Sequence, residues 1–239
     1  MKYVASVAYD GSKFYGFQRL PRHKSVQAEI ERVLTKINKT VVVVKGAGRT
    51  DRGVHALDQR VHFELSVDIP EERLIKAMND MLDPAIHING ITVVDKDFHA
   101  RFDVKKKEYV YVVYTGEYDP LLIDYVHRFT DKLNIRKMRI ASKYMIGAHS
   151  FEYFTSGERE SYNSIIFNVR IKKKGEFIYF TFAGKSFYHY MVRNLVGALF
   201  QVGLGNIEPM EVKRMVENAS SVTTPTMPPN GLYLNKIYY

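Results

Sequence analysis

Cysteine is absent from the 239 residues, and that absence removes disulfides, thiolate nucleophiles and cysteine-based zinc or iron–sulfur sites together. Any covalent catalyst must be another residue. Long apolar runs are missing too, since none approaches the roughly 18 residues that a membrane span needs. The N-terminus, Met1-Lys2-Tyr3-Val4-Ala5-Ser6-Val7, alternates from the start, with no charged segment leading into an apolar one, so secretion is not expected. A soluble cytoplasmic protein without membrane association is the expectation.

At 46% hydrophobic residues the chain can bury a sizeable core as one large domain or two small ones. Lys and Arg number 35 against 26 Asp and Glu, a formal net charge of +9. That excess leans mildly toward a polyanionic partner.

The order of patterns reads as a repeat. Residues 2–10 alternate as a strand that Asp10-Gly11-Ser12 ends as turn chemistry. Ser25 stands as N-cap before Val26, Ile30, Val33, Leu34 and Ile37 at helical spacing. Val41–Lys45 and Gln59–Val67 read as strands around a Gly-rich loop. A second helical pattern follows Pro70, and a strand follows at Ile91–Val94. The second half repeats the order. It has strands over 109–114, 165–172, 177–182 and 232–238, and helices over 135–146, 188–202 and 211–218. The expected fold is α+β, with two ferredoxin-like βαββαβ halves whose antiparallel sheets meet at a central cleft holding the site. The boundary falls in the segment Arg101–Lys107, giving domains 1–103 and 104–239.

Several segments carry possible chemistry. Gly46-Ala47-Gly48-Arg49-Thr50-Asp51-Arg52-Gly53 sets one acid among glycines and two arginines. Glycines allow tight turns and close approach of a large ligand. Flanking cations favour a carboxylate in its charged form, as a nucleophile or general base requires. Residue by residue, a turn-capping Asp51 with solvated arginines is the stronger reading. The Lys-Ser/Thr ending of a phosphate loop is missing. His55 and His62 lack a tight ligand spacing, so no metal is expected. Lys105-Lys106-Lys107 runs into Tyr109-Val110-Tyr111, whose tyrosines share a strand face; such aromatic and cationic faces suit unstacked bases and equally suit a core strand. Lys172-Lys173-Lys174-Gly175 reads as a hairpin tip. Arg193, the single arginine of an apolar helix, needs an anion or a structural ion pair.

Together these pieces resemble the TruA family, the tRNA pseudouridine synthases that act on the anticodon stem-loop. The resemblance covers nearly the whole chain. It rests on Tyr9-Asp10-Gly11-Ser12-Lys13-Phe14-Tyr15-Gly16-Phe17-Gln18, on Ser25-Val26-Gln27, and on Gly48 to Ala56 with Gln59 and His62-Phe63. Phe98-His99-Ala100-Arg101-Phe102, Tyr109-Val110-Tyr111, Gly147-Ala148-His149-Ser150-Phe151, Met191-Val192-Arg193-Asn194 and Gly231-Leu232-Tyr233-Leu234 follow in family order.

The resemblance implies Asp51 as catalytic aspartate, Tyr109 as the ring stacked on the target uracil, and Arg193 as the arginine that pairs with the aspartate. It also implies Arg49, Arg52, His55, Gln18 and Leu232 as substrate-binding residues, no cofactor, a tRNA partner and a homodimer. Three departures stand out: Phe17 occupies a position usually Trp, Arg52 one usually small, and the stretch Ser161–Ile165 lacks an arginine common among relatives. The alternatives are a related synthase with another RNA target and a non-catalytic RNA-binding protein.

Overall fold

The computed structural model describes residues 1–239. In chain order the elements are β1 (Lys2–Tyr9), α1 (Val26–Asn38), β2 (Lys45–Gly46), β3 (His55–Glu64), α2 (Glu71–Met81), β4 (Ile86–Val93), β5 (Lys106–Tyr114), β6 (His127–Arg128), α3 (Ile135–Lys143), β7 (Gly147–Ser150), β8 (Asn163–Lys174), β9 (Phe177–Gly184), α4 (Met191–Leu204), α5 (Pro209–Val216) and β10 (Leu232–Tyr238). The chain forms two compact units, Met1–Lys105 with Tyr233–Tyr239, and Lys106–Leu232. No helix is long and apolar enough to cross a membrane.

In the first unit β1 lies antiparallel between β3 and β4, and β2 pairs with β3, giving the order β4-β1-β3-β2. This is the split βαβ arrangement expected from the repeat. Alternation on β1 buries Tyr3, Ala5 and Val7 completely. They share a core with Val26, Ile30, Val33 and Leu34 of α1 and Leu74 and Met78 of α2, which the 3.6-residue period places on single helix faces. Removing any of the larger ones to Ala would cost about 2–5 kcal/mol.

Two expectations about this unit change. The strand expected over Val41–Lys45 shrinks to Lys45–Gly46, because α1 takes the hydrogen bonds a neighbouring strand would use. Val42 N–H donates to Thr35 Oγ1 at 3.1 Å and Val44 N–H to the buried Glu31 carboxylate at 3.1 Å, while Gln27 Nε2 donates to the Val44 carbonyl at 2.9 Å. The short β2 covers only Val61 and His62 on that edge of β3. Its other end, at His55 and Ala56, is covered by β10 running parallel. The last strand, expected to close the second half, also lies along the sheet of the first, where the expected antiparallel pairing gives way to one parallel pair. An uncovered strand edge is a liability, and chain order does not reveal which strand covers it.

The second unit has the order β5-β9-β8-β7, antiparallel throughout, with the short β6 parallel to β5. Its core comprises Tyr111, Val113, Phe180 and Phe182 from the sheet, Met138 from α3, Leu195, Val196 and Leu199 from α4, and Met215 from α5. The Lys172–Gly175 stretch forms the expected hairpin turn, with Gly175 at φ +58°. Helix α4 starts at Met191, three residues later than expected, since Tyr190 takes a left-handed φ of 61° that a helix interior does not accept.

Candidate active site

The loop carrying Asp51 is fastened to β3 at its first residues and closes as a turn just before that strand begins. Ala47 N–H donates to the Arg60 carbonyl at 2.7 Å, Gln59 Nε2 donates to the Gly48 carbonyl at 3.0 Å, and Val54 N–H closes a turn on the Asp51 carbonyl at 3.1 Å. Between these points the segment Tyr9–Gln18 braces it. The Tyr9 and Thr50 hydroxyls hydrogen-bond at 2.7 Å, and Phe17 N–H donates to the Thr50 carbonyl at 3.1 Å. Burial pushes the Tyr9 phenol up to about 12, offset in part by its bonds to Thr50 and Gln59, so its proton stays in place.

Gly11 explains why the brace needs glycine, for a Cβ there would lie 2.0 Å from the Val54 carbonyl oxygen. The same close approach lets Gly11 N–H donate to His55 Nδ1 at 3.1 Å. That nitrogen therefore presents a lone pair. Although Asp10 Oδ1 lies 3.4 Å away, it is engaged by Ser12 N–H and Oγ, and a neutral His55 protonated on Nε2 fits these contacts better than an ion pair. His55 is 2% exposed and stacks on Tyr233 of β10, ring centroids 4.7 Å apart.

Thr50 is thus buried, Asp51 half-exposed, and Arg49 and Arg52 exposed, as is Gln18 after the buried Phe17. Geometry of this kind holds a carboxylate still while leaving it within reach of a substrate.

In the second unit Tyr109 sits on β5 opposite Phe182, 8% exposed, with Phe187 edge-on at 5.1 Å. Tyr111 on the same strand face is fully buried, and its hydroxyl donates to the Pro228 carbonyl at 2.9 Å. Of that pair, then, Tyr111 is a core residue rather than a base platform. Burial drives its phenol far up, against a smaller opposing pull from the Arg193 charge. Arg193 lies in the first turn of α4. Its Nε donates to the Met227 carbonyl at 2.5 Å, and its guanidinium lies 4.7 Å from the Tyr190 ring centroid. The neighbouring Asn194 donates to the Phe154 carbonyl at 2.9 Å and accepts from Thr226 Oγ1 at 2.6 Å, lacing the helix start to flanking segments. Leu232 is buried.

Sequence reasoning missed Phe187 and Tyr190 as neighbours of Tyr109 and Arg193. The aromatic run Phe187-Tyr188-His189-Tyr190 ahead of an apolar helix was the available signal. No group of three or more His, Asp or Glu side chains is arranged to hold a metal ion.

The two-unit α+β fold and these motifs coincide with a family model described as tRNA pseudouridine synthase, which matches residues 5–103 and 141–239. The chain belongs to this family of isomerases, which convert uridine to pseudouridine, and has the pseudouridine synthase fold. Within the family it resembles proteins named tRNA pseudouridine synthase A. It is 42% identical to that of Pseudothermotoga lettingae over 238 residues, 98% of this chain and 97% of the relative. The Listeria monocytogenes protein of that name is 39% identical over 245 residues, 100% of this chain and 99% of the relative. For the Exiguobacterium sp. protein the figures are 38% over 236 residues, covering 98% and 96%. Likeness to a solved Cbf5-Nop10-Gar1 complex is slight: TM-score 0.40 and 12% identity over 83% of this chain and 44% of that one.

Proposed function

We propose that this synthase isomerises uridines in the anticodon stem-loop of tRNA, with Asp51 as the catalytic carboxylate. In this reading Tyr109 supplies the ring that stacks on the target uracil, and Arg193 the cation that balances the aspartate. The observation that carries it is the bracing of Thr50 by Tyr9 and Phe17, together with the Gly11 bond to His55 where the loop enters β3. A loop fixed from three sides keeps its one acid in a single geometry, which is what a group acting on a reacting atom must have.

The reaction breaks the N1–C1′ bond of uridine, turns the uracil and joins C5 to C1′. The C5 proton leaves and N1 gains one, so the product is an isomer and no electrons are exchanged. Three roles suit a carboxylate here: attack on C1′, addition to C6, or removal of the C2′ proton. An aromatic side chain is needed because the base must leave its stack before any of these can happen. The Tyr109 hydroxyl suits a further role as acceptor of the C5 proton. Arg49, Arg52 and Gln18, exposed around the Asp51 loop, contact the RNA, and Leu232 forms an apolar wall for the base. His55 acts through the loop it holds. The enzyme works in the cytoplasm as a homodimer, which sedimentation of the purified protein checks.

The experiment is incubation with unmodified tRNA carrying C5-tritiated uridine, followed by mapping of the modified positions. Tritium release confined to the anticodon arm is the expected result. Release from other positions would overturn the target, and no release would overturn the activity assignment for this chain.

A further inference from the structure

Three aromatic and cationic groups beside the Asp51 loop form a stack. The Tyr15 and His23 rings lie 4.4 Å apart at an interplanar angle of 25°, and the Arg52 guanidinium lies 4.4 Å from the Tyr15 ring centroid. Tyr15 is 43% exposed, and His23 and Arg52 are exposed as well. The stack is built by the backbone. Gly16, at φ +95°, packs so closely that a Cβ would meet the Thr50 carbonyl oxygen at 2.8 Å and Arg52 N at 3.3 Å, which delivers Tyr15 to Arg52. On the other side Leu20-Pro21-Arg22-His23 turns back on itself, His23 N–H reaching the Leu20 carbonyl at 3.5 Å. Arg22 there holds a left-handed φ of 63°, a conformation that costs a non-glycine residue energy and persists only where the surroundings enforce it.

Charge pairing around the stack is uneven. Arg19 is paired with Glu31 at 3.0 Å and Lys24 with Asp83 at 2.6 Å. Arg22, Arg49 and Arg52 are exposed and form no ion pair with a carboxylate. Arg49 and Arg52 flank Asp51 in the chain, Arg22 precedes the stacked His23, and one of the three guanidinium groups is oriented by an aromatic face. A stacked guanidinium keeps its planar fork of donors directed outward, and loses less freedom than a mobile side chain when it grips a phosphate.

We propose that Arg52, seated on the Tyr15–His23 stack and assisted by Arg22 and Arg49, is a preformed clamp for the phosphodiester backbone flanking the target uridine. The clamp rests on the reading that Asp51 is catalytic, and it makes Arg52 a determinant of which uridine is held at that carboxylate. Its cationic chemistry is satisfied by RNA phosphate and not by the base, so it contributes affinity and register rather than base identity.

The test is binding of unmodified tRNA at a series of salt concentrations, together with single-turnover tritium release at saturating tRNA, for Arg52→Gln, Tyr15→Leu and the double variant. Arg52→Gln is expected to raise the Kd about tenfold and to lower the slope of log affinity against log salt by about 0.7–1, the value for one phosphate contact. The saturated rate should fall by a smaller factor than the affinity, because the charge acts on holding the RNA rather than on the reacting atoms. Tyr15→Leu, which keeps the charge and loses the stack, should weaken binding by a few fold, and the two changes should combine to less than their product because they act through one group. An unchanged Kd and salt slope for Arg52→Gln would overturn the clamp, as would independent effects of the two substitutions. Failure of the Asp51 assignment would instead appear as full turnover by Asp51→Asn, whatever Arg52 does.

Discussion

The hydroxyls of Tyr9 and Thr50 meet at 2.7 Å inside the first unit, joining the end of the first strand to the residue before Asp51. Neither group has water as an alternative, since Tyr9 is 5% and Thr50 7% exposed. Tyr9→Phe should therefore cost about 1–3 kcal/mol, the penalty for leaving a buried hydroxyl unsatisfied. Urea denaturation reads the loss. The saturated rate should fall as well, because the loop is released on one side, while Kd for tRNA changes little. A variant with native stability and rate would show that the brace is dispensable.

Gly11 gives a sharper stability test. A methyl group there collides with the Val54 carbonyl oxygen at 2.0 Å, a backbone atom that cannot swing away as a side chain could. Gly11→Ala should cost more than about 3 kcal/mol, in the range of severe overpacking. Gly90 on β4 serves as its control, since a Cβ there meets nothing within 4 Å. Gly90→Ala should be neutral or stabilise by a few tenths of a kcal/mol. Equal effects at the two positions would contradict the packing described.

The contrast between these glycines marks what was legible in the sequence. Periodicity alone located β1, α1 and α2, because one face of each is buried and burial imposes the repeat. The order of motifs gave the family, and with it the expectation for the site residues. It did not give the reason for Tyr9, Gly11, Gly16 and Phe17, which is their packing against a loop some forty residues further on. Nor did it give the parallel pairing of Tyr233 and Leu234 with His55 and Ala56, because side-chain alternation is the same whichever sheet a strand joins and whichever way it runs. Val41–Val44 alternate like a strand yet bond to α1, since their pattern reports burial and not the partner.

Acid should destabilise the first unit through His62. Burial first, and then the charges of His99, Lys2 and Lys45, lower its imidazole from 6.5 to about 4, and its Nδ1 accepts from Ala100 N–H at 3.0 Å. The folded state thus binds its proton less readily than the unfolded chain. The His62 contribution is complete above about pH 6.5, the unfolded value, and is lost progressively as pH falls toward 4. The loss amounts to at most about 3 kcal/mol. His62→Asn, which keeps an acceptor near Nδ1 without titrating, should flatten the stability profile across that window. An unchanged profile would show that other groups carry the acid sensitivity.

Tyr109 separates its ring from its hydroxyl. Tyr109→Phe keeps the edge-on contact with Phe187 at 5.1 Å and the stacking surface. Tyr109→Ala loses both, and a stacked base is worth about 1–3 kcal/mol. The alanine variant should thus lose tenfold or more in tRNA affinity or base placement, together with most of its rate. The phenylalanine variant should bind normally, and a large fall in its single-turnover rate would report proton transfer by the hydroxyl. Full activity of the alanine variant would remove Tyr109 from the site.

The assignment of Asp51 is tested most directly by Asp51→Asn, which keeps the size and hydrogen-bonding reach of the side chain and removes its charge. Tritium release from C5-labelled tRNA in a single turnover should vanish, while tRNA affinity stays within about tenfold, or about 1.4 kcal/mol. Release at a rate near that of the unaltered enzyme would contradict the account.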